Sequence, residues 1–239
     1  MRKVIGVYRN QNMHWVGNGF PVKSLFSYDR LGQAVSPFLL LDYAAPYEFQ
    51  PTTEQHGVGS HPHRGFETVT IAYKGSVEHK DSSGGGGTIK TGDVQWMTAG
   101  AGVVHEEFHS KEFAKTGGFF EMVQLWVNLP AKDKMTPARY QAIENTEIPV
   151  VNFADDAGQI RVIAGTFRDV KGPALTFSPV NVWDGQLKAE HSEHIHVPMN
   201  HTVLVVVLEG ELLINGTQKV QDSSIVLFEQ NDDPTLLLE

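Results

Sequence analysis

The chain of 239 residues has no cysteine and no long apolar run. Without cysteine there can be no disulfide, thiolate metal site or cysteine nucleophile, so a bound metal would need nitrogen and oxygen ligands. The longest aliphatic run, residues 203–208, has six residues, whereas a membrane-spanning helix needs about 20. The N-terminus also lacks the apolar core of a signal peptide. These absences predict a cytoplasmic protein that does not bind membranes.

Basic residues are outnumbered by acidic ones. The chain has 19 Lys and Arg against 28 Asp and Glu, a net charge of −9 and a pI near 5.6. Nucleic-acid-binding surfaces usually start from clustered Lys and Arg, so direct nucleic-acid binding is not expected. The motif Gly-x-Ser-x-Gly is also absent, which leaves serine hydrolase chemistry without support.

Short strand-like runs separated by glycine-rich turns dominate the sequence. This pattern predicts an all-β fold, either a sandwich or a barrel. Four successive glycines, Gly84 to Gly87, predict a flexible hairpin tip, because the Gly-Lys-Ser/Thr ending of a phosphate loop is missing. The predicted strands cover residues 3–8, 22–26, 37–41, 68–73, 75–79, 88–89, 93–97, 103–108, 119–129, 150–152, 160–164, 175–182, 203–207, 211–214, 224–228 and 235–238.

The two halves of the chain resemble each other. Gly75 and Gly210 end equivalent strand patterns and lie 135 residues apart, which predicts two similar β-domains. A polar, proline-containing segment separates the halves. We therefore expect an N-terminal domain over residues 1–130, a linker over residues 131–149 and a C-terminal domain over residues 150–239.

Two short motifs in the N-terminal half combine into a candidate metal site. Side chains alternate along a strand, so residues two apart share a face, with Cα atoms about 6.6 Å apart. His61 and His63 therefore point the same way, and so do His105 and Glu107. If the two strands are neighbours, three imidazoles and one carboxylate meet, a ligand set that suits a divalent metal. The alternative is that these are surface or core histidines without a metal.

Other histidines give a weaker signal. Chance gives roughly half a His-x-His pair at this histidine content, and a second pair occurs at His194 and His196. The 135-residue offset places Pro198 opposite His63, and no His-x-Glu follows Phe228, so we expect the C-terminal domain to lack a metal. Loop or strand-edge positions are expected for His191, His194, His196 and His201, and a position at the rim of the site for His109.

The N-terminal half resembles the pirin family of the cupin superfamily. Four segments carry the resemblance: residues 61–69 (HPHRGFETV), 92–100 (GDVQWMTAG), 105–107 (HEE) and 124–130 (QLWVNLP). The C-terminal half matches only in outline. Pirins have two cupin β-barrels of the jelly-roll type in tandem, with one metal in the N-terminal barrel, and the resemblance implies this fold here. The chain ends at Glu239, sooner than expected for a complete second barrel.

The resemblance also implies the roles of individual residues. The pirin ligands correspond to His61, His63, His105 and Glu107, and the implied cofactor is one divalent ion per chain. Fe(II) is the usual ion of the family, although this ligand set also admits Ni, Cu, Mn or Zn.

Two further polar residues lie in the motifs. Many cupins use a glutamate at the position of Glu67 as a ligand. A regular strand would place it about 13 Å from His63, so we interpret Glu67 as structural or as a support for the ligands. Gln124 is a candidate hydrogen-bond donor in the pocket, with a glutamine satisfied within its sheet as the alternative. Core positions are expected for Phe66, Trp96 and Trp126, with lining of the pocket as the alternative.

Some pirins act as quercetin 2,3-dioxygenases, and the resemblance implies this activity. A flavonol and dioxygen would react at the metal with ring opening and loss of carbon monoxide, and Glu107 would take the proton of the 3-hydroxyl group. A second hypothesis is a redox-responsive interaction protein without turnover that regulates an unidentified protein partner. Two others are a cupin isomerase or sugar-binding module and a structural metal without chemistry.

Overall fold

The computed structural model of the chain describes residues 1–82, 84–231 and 233–239. The chain divides into two compact units. The first barrel comprises Gln11–Ser27 and Pro37–Asn145, and the second barrel comprises Met1–Asn10, Tyr28–Ser36 and Thr146–Glu239. No helix in the described ranges is long and apolar enough to span a bilayer.

Strands account for most of the regular structure. In chain order they are β1 (Val4–Arg9), β2 (His14–Val16), β3 (Phe20–Ser27), β4 (Phe38–Phe49), β5 (Gly57–His63), β6 (Phe66–Lys74), β7 (Val77–Asp81), β8 (Gly86–Ile89), β9 (Val94–Thr98), β10 (Val103–His109), β11 (Gly118–Asn128), β12 (Arg139–Ile143), β13 (Val150–Asn152), β14 (Gly158–Ala164), β15 (Thr166–Phe167), β16 (Val170–Lys171), β17 (Val182–Leu187), β18 (Glu193–His196), β19 (Leu204–Val207), β20 (Glu211–Ile214), β21 (Gln218–Gln221), β22 (Ser224–Phe228) and β23 (Thr235–Leu238). The helices are α1 (Tyr28–Leu31) and α2 (Lys111–Thr116), with short 3₁₀ helices at Gly32–Val35, Ala131–Asp133, Asn145–Glu147 and Ala154–Asp156.

The first barrel is built from two antiparallel sheets. The larger has the order β12-β9-β6-β11-β4-β3-β2 and the smaller the order β5-β10-β7-β8. Burial alternates along β10, where every second residue from Val103 to His109 is buried. Val77 of the small sheet packs in one cluster with Phe20 and Met122 of the large sheet. The inner faces of the two sheets therefore enclose a common interior, as in a jelly roll.

The second barrel has its own sheets and core. Its sheets have the orders β1-β22-β19, β13-β14-β17, β18-β23-β20-β21 and β15-β16. Ile160, Ile214 and Leu236 are among the buried residues of one apolar cluster. The predicted all-β fold with two cupin-like barrels is confirmed.

The two compact units differ from the predicted domains at three places. Tyr28–Ser36 lies in the predicted N-terminal domain but belongs to the second barrel. Arg139–Ile143 lies in the predicted linker but forms β12, which pairs with β9 along its whole length. Val4–Arg9 lies in the predicted N-terminal domain but pairs as β1 with β22 of the second barrel. Short edge strands are fixed by partners that are distant in sequence, so their local pattern does not assign them to a domain.

One predicted strand is also misplaced. Residues 175–182 are predicted as a strand, whereas the strand in this region is Val182–Leu187. Pro179 lies inside the predicted range, and a proline cannot donate a hydrogen bond to a neighbouring strand. The Oγ1 of Thr176 donates to the carbonyl of Ser178 at 2.8 Å, so this segment is a local turn.

The second barrel holds the start of the chain through Arg2. This side chain is fully buried. Its guanidinium donates to four backbone carbonyls at 2.8–3.1 Å, those of Asp233, His201, Pro198 and Asn231. A planar guanidinium with five donors is suited to collecting several carbonyls that would otherwise be buried without a donor.

We expect Arg2→Met to destabilise the second barrel by about 3 kcal/mol, because several carbonyls lose their donor at once. Arg9→Met is the matched control. Arg9 contacts the Asp222 carboxylate at the surface, and the loss of an exposed ion pair costs less than about 1 kcal/mol. Chemical denaturation of both variants measures the difference. Equal stabilities would show that the Arg2 contacts contribute little.

Candidate metal centre

The two histidine motifs lie on neighbouring strands. Strands β5 and β10 pair antiparallel, with His61 opposite His105 and His63 opposite Val103. One ligand nitrogen from each of His61, His63 and His105 lies within 4.8 Å of the other two. The three ring centroids are 4.4–4.8 Å apart. The predicted convergence of three imidazoles is confirmed.

Aromatic side chains hold His63 in place. Phe66 and Trp126 meet its ring edge-on at centroid distances of 5.1 and 5.3 Å, and they pack against each other at 4.6 Å. Both residues are half-buried, and their contact with His63 fits the alternative interpretation that they line the pocket. They form an apolar wall beside the three histidines.

A backbone carbonyl orients His61. Its Nδ1 lies 2.8 Å from the carbonyl oxygen of Gly59. Since a carbonyl can only accept, Nδ1 carries the hydrogen and Nε2 keeps its lone pair. Metal-binding histidines are commonly fixed in this way by a hydrogen bond from the other ring nitrogen.

His105 provides the test of whether these residues fit a metal. The residue is 1% exposed, and neither of its ring nitrogens has a hydrogen-bond partner in the described parts of the chain. A buried imidazole without partners is costly. A cation coordinated by one nitrogen would give the ring a partner, so the site fits a metal.

The protonation states of two of the histidines also favour metal binding. Burial, followed by the proximity of His61 and His63, lowers the pKa of His105 to about 3. Burial and the neighbouring His61 lower the pKa of His63 to about 4. Both rings are therefore neutral near pH 7, which is the form that binds metals. The three histidines form a metal-binding site.

Glu107 lies two residues beyond His105 on the same buried face of β10. Strand β5 carries an extra residue here, because His105 pairs with His61 and Glu107 with Val58. Burial raises the pKa of Glu107 to about 7. Its carboxylate does not belong to the group of ligand atoms within 4.8 Å. Its roles as fourth ligand and proton acceptor stay predictions.

The two further motif residues lie on opposite faces of the large sheet. Phe66 faces His63, so the next residue, Glu67, is turned to the other face, where the Thr98 hydroxyl donates to it at 2.7 Å. The interpretation of Glu67 as a structural residue or as a support for the ligands stays a prediction. Gln124 lies two residues before Trp126 on the inner face, and its Oε1 accepts from the Thr70 hydroxyl at 2.7 Å.

The remaining histidines lie outside the group. His109 is buried rather than at a rim, and its Nε2 donates to the carbonyl of Gly19 at 2.8 Å. In the second barrel, His194 and His196 are exposed. Within residues 1–82, 84–231 and 233–239, His61, His63 and His105 make up the one group of this kind.

Sequence reasoning missed four residues beside the site. Asp81 lies opposite His105 on β7, and His79 lies opposite Glu107. Tyr140 stacks on His79 with ring centroids 5.2 Å apart, and Gln95 Nε2 donates to His79 Nε2. Burial and then the adjacent Asp81 raise the pKa of Tyr140. Alternation along β7 could have identified His79 and Asp81, whereas Tyr140 lies in the predicted linker.

Known proteins resemble this chain along its whole length. A protein of Pseudomonas aeruginosa, provisionally named a quercetin 2,3-dioxygenase, is 58% identical over 239 residues, which are 100% of this chain and 83% of that protein. A crystal structure of quercetin 2,3-dioxygenase from Acinetobacter baumannii has a TM-score of 0.98 and 63% identity, and the match covers 100% of this chain and 83% of that chain.

The crystal structure of the bacterial pirin YhhW from Escherichia coli in complex with nickel(II) shares the fold. It has a TM-score of 0.66 at 19% identity, over 98% of this chain and 97% of that chain. The family model described as Pirin matches residues 19–127, a range that includes His61, His63 and His105. This chain belongs to the pirin family.

Proposed function

We propose that this pirin is a metal-dependent dioxygenase that cleaves flavonols such as quercetin. The observation that carries the proposal is the group of three histidines on the inner face of the first barrel, with His105 buried and its ring nitrogens without partners in the described structure. Similarity of 58% and 63% to proteins named quercetin 2,3-dioxygenase supports the choice of substrate and of dioxygen as the second reactant.

The proposed ligands are His61, His63, His105 and Glu107, and the proposed ion is Fe(II). Three imidazoles and one carboxylate would leave a bound divalent ion with a net charge of about +1. A bound divalent ion would supply a Lewis-acidic, redox-active centre at which a flavonol and dioxygen can meet. Nickel in YhhW makes Ni(II) the main competitor, with Cu, Mn and Zn also compatible with the donor set.

Glu107 is the proposed proton acceptor. Its carboxyl is buried, and once it has partly left the ion it can accept the proton of the 3-hydroxyl group. Phe66 and Trp126 present apolar rings beside His63. A dry site strengthens the interaction between a deprotonated substrate and the positive centre. The cytoplasmic location stays a prediction from the sequence.

Reconstitution with single ions tests the function. Protein stripped by a chelator and reloaded with Fe(II), Ni(II), Cu(II), Mn(II) or Zn(II) is incubated with quercetin in an oxygen electrode. We expect Fe(II) to give oxygen uptake matched by release of carbon monoxide. If the protein retains one ion per chain but consumes no flavonol with any of them, the dioxygenase proposal fails and a metal-dependent interaction protein becomes the better interpretation.

The ligand assignment is tested by His105→Ala. Mutation of residues that only support a metal ligand costs about 10–100-fold in affinity, so removing His105 itself should lower metal affinity by at least that factor. His194→Ala is the matched control, because His194 is exposed in the second barrel and should bind no metal. Elemental analysis after dialysis measures the ions retained per chain. Full retention in His105→Ala would refute the assignment.

Glu107→Gln separates a charged role from a packing role. The amide has nearly the same volume but cannot accept the proton, so we expect kcat for quercetin to fall by about 10²–10⁴-fold. We also expect weaker metal retention, because the anionic ligand is lost. Steady-state kinetics at saturating metal, with circular dichroism as a check of folding, measure the effect. Activity within twofold of the unmodified protein would eliminate the proposed role.

A further inference from the structure

Two polar residues lie side by side on the inner face of the large sheet of the first barrel. Asp42 of β4 is directly opposite Gln124 of β11, and such paired residues have Cβ atoms about 4.5–5.5 Å apart. Ala44, two residues beyond Asp42, belongs to the core cluster inside this barrel. Trp126, two residues beyond Gln124, contacts His63. Because side chains alternate along a strand, Asp42 and Gln124 both point into the barrel.

Each of these two side chains has one polar atom engaged and one left over. The Ser24 hydroxyl donates to Asp42 Oδ1 at 2.5 Å, and the Thr70 hydroxyl donates to Gln124 Oε1 at 2.7 Å. Asp42 Oδ2 and Gln124 Nε2 have no hydrogen-bond partner among the residues that the structure describes. Both residues are half-buried, and neither atom is among the polar atoms sealed from solvent. An acceptor and a donor are therefore available side by side in an accessible part of the interior.

The surroundings of Asp42 favour a further hydrogen-bond donor. Burial raises the pKa of its carboxyl, although the Ser24 hydrogen bond and the nearby His14 act in the opposite direction. Within the described parts of the chain this carboxyl accepts one hydrogen bond, whereas an ionised carboxylate has about four acceptor sites. A hydroxyl group that donates to Asp42 Oδ2 would offset part of the cost of burying the carboxyl.

The pair lies at the level of Glu107, on the opposite wall of the barrel. Gln124 pairs with Thr70, and Thr70 pairs with Gln95 along the large sheet. Gln95 forms a hydrogen bond with His79, which lies opposite Glu107 in the small sheet. Packed sheets are about 10 Å apart. An aromatic ring between them can therefore approach the metal-binding face on one side and this polar pair on the other.

Apolar side chains complete the wall beside the pair. Leu40 and Trp126 form the next inward-facing residue pair along the same two strands, and Phe66 packs against Trp126 at a centroid distance of 4.6 Å. All three are half-buried, so part of their surface is open to a ligand. Small-molecule sites usually combine such an apolar wall with a few polar groups. A planar ring with a hydroxyl at its edge matches this arrangement.

We propose that Asp42 and Gln124 recognise a hydroxyl group on the aromatic rings of the substrate. The hydroxyl donates to Asp42 Oδ2 and accepts from Gln124 Nε2. Leu40, Phe66 and Trp126 contact the ring. The pair thereby selects polyhydroxylated flavonols over flavonols that carry the 3-hydroxyl alone. This inference rests on the proposed function, because it assigns substrate selection at the same site.

Asp42→Asn tests the acceptor. The variant keeps an oxygen for Ser24 but replaces Oδ2 with a donor. Calorimetric titration of metal-free and Fe(II)-loaded protein measures binding of quercetin and of 3-hydroxyflavone, which lacks the other hydroxyls, and metal content is measured in parallel. We expect quercetin binding to weaken at least about tenfold, with 3-hydroxyflavone binding and metal content unchanged. Asp29→Asn, the same charge change at an exposed position of α1, is the matched control and should bind both flavonols as the unmodified protein does.

Gln124→Met tests the donor, and we expect it to weaken binding of quercetin about tenfold more than that of 3-hydroxyflavone. Equal losses for the two flavonols, unchanged affinity for quercetin in Asp42→Asn, or no quercetin binding by the unmodified protein would overturn the inference. If no ion supports consumption of quercetin but Asp42→Asn selectively weakens its binding, the dioxygenase proposal fails while this site stands. If quercetin is consumed and Asp42→Asn binds it with unchanged affinity, the dioxygenase proposal stands and this site fails.

Discussion

The pairing of β5 with β10 is the constraint on which the metal centre depends. It sets His61 directly opposite His105, and a shift of one residue would turn the histidines of one strand to the opposite face. Gly57 permits this register, because a Cβ there would overlap the carbonyl oxygen of Glu107. The extra residue in β5 then shifts the register by one residue, so that Glu107 pairs with Val58. The register of β5 and β10 therefore decides whether the three histidines can meet around a metal.

Burial gives the centre its chemical properties. The same exclusion of water lowers the pKa values of His63 and His105 and raises that of Glu107. Neutral imidazoles can coordinate a cation, and a carboxyl with a pKa near 7 can exchange a proton under physiological conditions. Phe66 and Trp126 maintain this dry environment next to His63. Burial of these polar groups without a partner costs free energy. A bound cation would supply the partner and make the contact stabilising.

The sequence predicts the group of three histidines well because its signal is local. Alternation with a period of two residues places His61 with His63 and His105 with Glu107, and the assumption that their strands are neighbours is correct. The two β-barrels likewise follow from short strands and glycine turns. The spacing between His63 and Glu67 along a regular strand already argues against Glu67 as a ligand. In the structure, Glu67 also lies on the opposite face of the large sheet from Phe66.

Features that depend on distant pairing were not predictable. Tyr140 reaches the interior because β12 joins β9, although its own segment is polar and has no strong strand pattern. Arg2 belongs to the second barrel through carbonyls at positions about 200 residues away. In each case the partner in space, which the sequence does not identify, decides the structure.

Anomalous diffraction from crystals of the metal-loaded protein tests the central claim most directly. Data collected at the absorption edge of the bound ion should show one strong peak in the first barrel, at about 2.1 Å from one nitrogen each of His61, His63 and His105. A peak bound by other residues, or no peak in protein shown to contain one ion per chain, would contradict the account.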